Sequence, residues 1–264
     1  MNPMIERLLV VAAAVIVAMA GVALFRRRVP YEVLRHNHAF TGVTYTIVGA
    51  VYGVYLAFTI VVVWQQFDQA EQEATSEAVH LSEVWRDIQV LPDQPRRAVE
   101  TRLRDYAEAV VQREWPSMAA GHGADAETAR RYEEIWRELY AARASASGAG
   151  DTAFFNEAVL QMNNMGVQRR MRLLASGSAL PSIMWMLLIG GGVVTVGFAY
   201  LVGTSHTWIQ MAGTAALAAL VAFSLLLVAA LQHPFSGDIS VTPIAYEGVL
   251  KSFHERLQNE SSPR

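Results

Sequence analysis

The chain has 264 residues, 53% of them hydrophobic, no cysteine and a formal net charge of −3. Charge so near balance argues against nucleic-acid binding, and the missing cysteines exclude disulfides, thiolate metal sites and a cysteine nucleophile. The apolar residues gather in four blocks, the pattern of a multi-pass membrane protein with one polar insert.

The first block, Ile5 to Phe25, is stopped by Arg26, Arg27 and Arg28. Ala18, Met19 and Ala20 resemble a signal-peptide cleavage site, but Glu6 beside Arg7 makes a weak leader and three arginines after the site oppose export. A transmembrane helix is therefore expected. The connector Val29 to Phe40 holds His36 and His38, two histidines two apart that read as interfacial loop residues, so no metal site is expected.

The stretch from Gly42 to Ile88 organises the rest. It has no charge before Asp68 and no proline or glycine between Gly53 and Pro92. A single helix of roughly 70 Å follows, about twice what a bilayer requires. Stepping about 100° per residue places Gly42, Gly49, Gly53 and Ala57 on one side, with Gly49 and Gly53 as a GxxxG helix-packing pair. Tyr45, Tyr52, Thr59 and Gln66 form a polar stripe with two readings, a pore lining or an interhelical hydrogen-bond seam. Ile47, Val51, Val54, Phe58, Val61 and Val62 form an apolar face expected to meet lipid. Farther on, Phe67, Ala74, Leu81 and Ile88 repeat at sevens like a coiled-coil seam, while Asp68, Glu71, Glu73, Glu77 and Glu83 read as a solvated face.

Pro92 and Pro95 break the rod. Helices are expected over Arg96 to Glu114, ended by Trp115 and Pro116, over Glu127 to Arg143, and from an N-cap at Asp151 to Leu174. Arg169, Arg170 and Arg172 have two readings, contact with lipid phosphates, the ordinary case, or attraction of anions to a mouth. Block three, Pro181 to Val202, carries Gly190, Gly191 and Gly192, which permit a bend or close approach of a neighbour. A short turn then makes Trp208 to Leu231 its antiparallel partner, with Ala212, Ala215, Ala219 and Ala222 on a packing side. A last amphipathic helix runs from Ile244 to Leu257 after a Thr242, Pro243 start.

The expected fold is all-α: a first transmembrane pair over 1–64, a helical extramembrane insert over 65–178, a second pair over 179–232 and a tail over 233–264. In this order, with the Tyr45 to Trp64 span, the string Glu114, Trp115, Pro116, Ser117, Met118 and the string Pro234, Phe235, Ser236, Gly237, Asp238, the chain resembles the bestrophin-like membrane proteins. The resemblance implies a homo-oligomer, pentameric by analogy, passing small inorganic anions, with the second span lining the neck. It also implies a bacterial inner-membrane protein with both termini and the insert in the cytoplasm. Phenylalanines that line the bestrophin neck have no evident counterpart in the tyrosine and threonine stripe, and Asp238 alone stands where animal bestrophins hold calcium, so calcium control is not implied.

No GxSxG, phosphate-cradling glycine loop, HExxH or paired intramembrane carboxylates appear, so no enzyme, cofactor or metal is expected. Ser205 and His206 are adjacent, a pair that arises often by chance. The alternative function is a membrane-anchored sensor or scaffold whose insert binds a partner.

Overall fold

The structure is a computed structural model and describes residues 3–36, 38–146, 148–202, 204 and 206–261. Every regular element among these is helical. Four helices are long and apolar enough to cross a membrane, the second being the front part of a rod that continues to Asp87.

One compact unit comprises Met1–Gln65 with Ala179–Gln232. It contains α1 (Pro3–Arg28), α2 (Tyr31–His36), the apolar part of α3 (His38–Asp87), α8 (Ser182–Leu201) and α9 (Thr207–Leu231). The expected connector is thus mostly helical, as α2 and the first turn of α3. The side chains of His36 and His38 lie outside the described set, as does Ser205. Helices α1 and α9 pack antiparallel: Arg26 Nη2 near the end of α1 donates to Thr204 O at 2.7 Å and reaches Thr207 Oγ1 at 3.4 Å at the start of α9. Gly21 lets α8 in, because a Cβ there would lie 2.8 Å from Tyr200 Cζ. From α9, Gln210 Nε2 donates to Ala199 O at 3.3 Å and Tyr200 O at 2.9 Å, closing carbonyls that the last turn of α8 cannot satisfy itself.

The second unit comprises Gln66–Ser178 with His233–Arg264, so the tail groups with the insert. It holds the polar part of α3, then α4 (Asp93–Ala109), a π-helical turn Val110–Glu114, α5 (Trp115–Ala119), α6 (Ala126–Ala142), α7 (Ala149–Ser176) and α10 (Ile244–Ser261). Its core is continuous through Leu81, Trp85, Leu103, Ile135, Met162 and Phe253, with Trp85 stacked on Phe253 at 3.9 Å. Asp125 is the N-cap of α6: Thr128 N donates to its Oδ1 at 2.9 Å. Asp151 is not the N-cap of α7 but lies inside its first turn, where Oδ2 accepts from Gly148 N at 3.1 Å. That contact returns a carboxylate to an orphan N–H, as in a capping box.

Nor does the chain stop at Trp115 and Pro116. Proline has no N–H to give the carbonyl four residues back, and the preceding Trp115 N–H bonds Val110 O, five residues back. The extra residue in this turn keeps helical rotation going through Pro116 to Ala119.

Candidate functional site

In the membrane unit the hydroxyl stripe turns into the protomer. Tyr52 is 7% exposed, and its hydroxyl donates to Leu188 O on α8 at 3.1 Å. Its ring lies on the triple glycine: a Cβ at Gly191 would sit 2.6 Å from Tyr52 Cδ2, and one at Gly192 3.0 Å from its hydroxyl oxygen. One turn on, Tyr55 donates to Met184 O at 3.2 Å. Thr59 is 2% exposed, its hydroxyl spent on Tyr55 O at 3.0 Å. Tyr45 is half-buried in a recess with Ala199, Gln210 and Thr214. Tyr52 thus bonds across to α8 while Thr59 bonds within α3, and both side chains are covered by their own chain. Gln66 is exposed.

The face opposite this seam is bare within the chain. Ile47, Val51, Val54, Phe58, Val61 and Val62 are all exposed. The glycine strip is bare as well: nothing stands within 4 Å of a Cβ placed at Gly42, Gly49 or Gly53. The expected GxxxG contact is therefore not made by any helix of the same chain among the described residues.

In the second unit the two motif strings converge. Trp115 Nε1 donates to Val241 O at 3.0 Å, and its ring meets Phe235 edge-on at 5.6 Å and Tyr246 at 6.0 Å. The segment around Phe235 is folded back by Val241 N donating to Pro234 O at 2.7 Å, with Gly237 at φ 90°, a backbone region that favours glycine. Pro234 is buried, while Asp238 is exposed.

Beside Trp115 lies a sealed ion cluster. Arg172 on α7 donates through Nε to Glu77 Oε2 at 2.6 Å and through Nη2 to Glu114 Oε2 at 2.7 Å. Arg169 Nη2 holds the other Glu114 oxygen at 2.5 Å, and Tyr106 donates its hydroxyl to Glu77. The side chains of Glu77, Glu114 and Arg172 are 0% exposed. Two carboxylates face two guanidiniums, so the group is neutral as a whole. The Arg172 guanidinium also sits 5.2 Å over the Trp115 ring. Burial pushes the Tyr106 and Tyr246 phenols well above their ordinary range, and the Glu77 charge adds to it. Burial would pull Arg172 down, but Glu77, with Tyr246 and Glu114, reverses this and holds it well above the usual arginine value. Each of these charges is paired within the cluster, and Glu77, Glu114 and Arg172 are closed off from solvent, so the cluster binds helices to one another rather than a substrate.

Two expectations are corrected by this cluster. Glu77 does not belong to a solvated face, and neither does Glu73, which is also buried. Arg172 does not reach lipid phosphate, and Arg169 is mostly enclosed. The signal was present in the spacing. Ala70, Ala74, Glu77, Leu81 and Val84 step by fours and threes along one buried face of α3, and Phe155, Ala158, Met162, Met165, Arg169 and Arg172 do the same on α7. A charge in a seam position calls for a countercharge in a facing seam. Glu114 had no such signal, since it reaches the interior on the π-helical turn. Among the described residues no group of three or more His, Asp or Glu is placed to hold a metal.

A family model described as the Bestrophin-like domain matches residues 12–246. A bacterial bestrophin homologue from Klebsiella pneumoniae bearing one substitution superposes with a TM-score of 0.73 at 9% identity, over 94% of this chain and 98% of that one. The same homologue solved by zinc phasing gives 0.67 at 11% identity, over 98% and 100%. A structure described as that of a membrane protein gives 0.69 at 10% identity, over 97% and 98%. At such identities the likeness is one of fold. No curated protein matches the chain.

Proposed function

Because the chain belongs to the bestrophin-like family of membrane proteins, we propose that it forms a homo-oligomeric channel for small inorganic anions in the bacterial inner membrane, with α3 lining the path. The observation that carries this reading is the bare face of α3. Its apolar row from Ile47 to Val62 and its glycine strip are uncovered by the chain itself, on the longest helix of the fold.

Copies standing α3 to α3 would use Gly49, Gly53 and Ala57 for close approach. Val54, Phe58 and Val61 would then form an apolar constriction, which conducts when wetted and closes when it dries. Phe58 takes the place for which the tyrosine stripe offered no phenylalanine. The stripe itself keeps the supporting role of fastening α3 to α8. A pentamer is the expected assembly by analogy with bestrophins.

The test joins mass and current. Purified protein should run as a closed oligomer and carry anion current in planar bilayers, and Phe58→Ala should change conductance or gating severalfold while Tyr52→Phe leaves selectivity alone. A monomer without flux under varied voltage and pH overturns the channel. The scaffold reading would then gain weight from a groove of about 440 Å³ between α3 and α10, bordered by Ser82, Arg86, Ser252 and Arg256.

A further inference from the structure

The membrane unit also contains a groove that its own chain leaves empty. Its volume is about 340 Å³, space for on the order of ten groups of water or methylene size. Small residues make the floor: Ala14 and Ala18 on α1, Gly192 and Gly197 on α8, Ala218 and Ala222 on α9. Exposed Val17 and Val193 stand among its walls, and no charged side chain lines it.

The dimensions fit one leaflet. The groove extends along α8 from Ile189 to Tyr200. Eleven residues of helix cover about 16 Å, half of a hydrocarbon core of about 30 Å. A groove at this depth, built of alanine, glycine and valine, offers nothing to water and a continuous wall to a hydrocarbon chain.

The charge lies at one end. Tyr200 packs against Gly21 and lies 6.3 Å from the Phe25 ring, so this end of the groove is level with the last turns of α1. Arg27 and Arg28 follow about 10 Å farther along the axis, both exposed. Arg26 beside them is engaged with Thr204 and Thr207 across the helix pair. Two exposed guanidiniums stand where the hydrocarbon gives way to headgroups, and phosphate is the group they match best.

We propose that this groove binds one anionic phospholipid, with an acyl chain along Gly192 and Gly197 and its phosphate against Arg27 and Arg28. The site lies within a single protomer and does not depend on conduction.

Native mass spectrometry of the full chain tests it, using equal amounts of phosphatidylglycerol and phosphatidylcholine with identical acyl chains. The unaltered protein should retain phosphatidylglycerol about tenfold over phosphatidylcholine. Gly197 lines the groove and nothing stands within 4 Å of a Cβ placed there, so Gly197→Leu has room at its first carbon and should cut retention of both lipids about tenfold. Val193→Trp, at an exposed position, should do the same and serves if Gly197→Leu lowers the helix content seen by circular dichroism. The double variant Arg27→Gln, Arg28→Gln should retain the two lipids equally. Free glycerol phosphate at millimolar level should not compete. Unchanged retention in both groove variants, equal retention by the unaltered protein, or displacement by glycerol phosphate each overturns the proposal. So does a disulfide between two copies of Val193→Cys, which would make the groove a subunit interface.

Discussion

Replacing Arg172 by methionine removes the guanidinium that bridges Glu77 and Glu114 while keeping most of the side-chain volume. Arg169 would still hold one Glu114 oxygen and Tyr106 would still donate to Glu77, but Glu77 would lose the guanidinium paired with it in a site sealed from water. Stranding a buried charge costs about 3–5 kcal/mol. That is a fifth or more of the roughly 5–15 kcal/mol by which a domain is stable. Urea unfolding in detergent, followed by intrinsic fluorescence and circular dichroism, reads the loss as a lower midpoint with an unchanged slope. Converting the acid as well, with Glu77→Gln, should recover at least about 1 kcal/mol relative to Arg172→Met alone. A loss under about 1 kcal/mol for Arg172→Met, or a double variant that costs the sum of the two singles, would refute the account of a coupled buried cluster.

Three further outcomes follow from the geometry. Gly191→Ala should destabilise the membrane unit by about 1–3 kcal/mol, because its methyl meets the Tyr52 ring, whereas Gly190→Ala, with open space around it, should be neutral or better in a thermal shift assay. Asp125 is held at about 2, chiefly by Arg113 and then by the Thr128 N–H and hydroxyl against a burial effect that raises it. A depressed carboxylate stabilises above its unfolded pKa and loses that contribution as pH falls toward the folded value, so α6 should fray between about pH 4 and 2 in hydrogen exchange, and Asp125→Ala should abolish this step at a cost of about 1 kcal/mol. Trp115→Phe removes the donor to Val241 O, costs about 1 kcal/mol, and should speed proteolytic cutting of the segment before α10.

Much of the helical plan was legible because long apolar runs and unbroken periodicity are local properties. The four spans and the rod from the second span to Asp87 needed only composition and the absence of proline. The π-helical turn was less legible: Pro116 announced a break, but the tail and ion cluster that hold the turn closed lie far away in sequence. The same distance hid Glu77 and Arg172. Each looks like a surface charge alone and becomes interior only opposite the other, 95 residues away.

For α3 the sequence defined three faces but not what each would meet. Tertiary structure decided that, and for a physical reason. A tyrosine can donate to a carbonyl of any neighbouring helix or to an ion's path; which it does depends on whether a backbone comes within reach. Gly191 and Gly192 bring α8 close enough that Tyr52 is satisfied inside its own chain, leaving the apolar row and the glycine strip as the surfaces still without a protein partner.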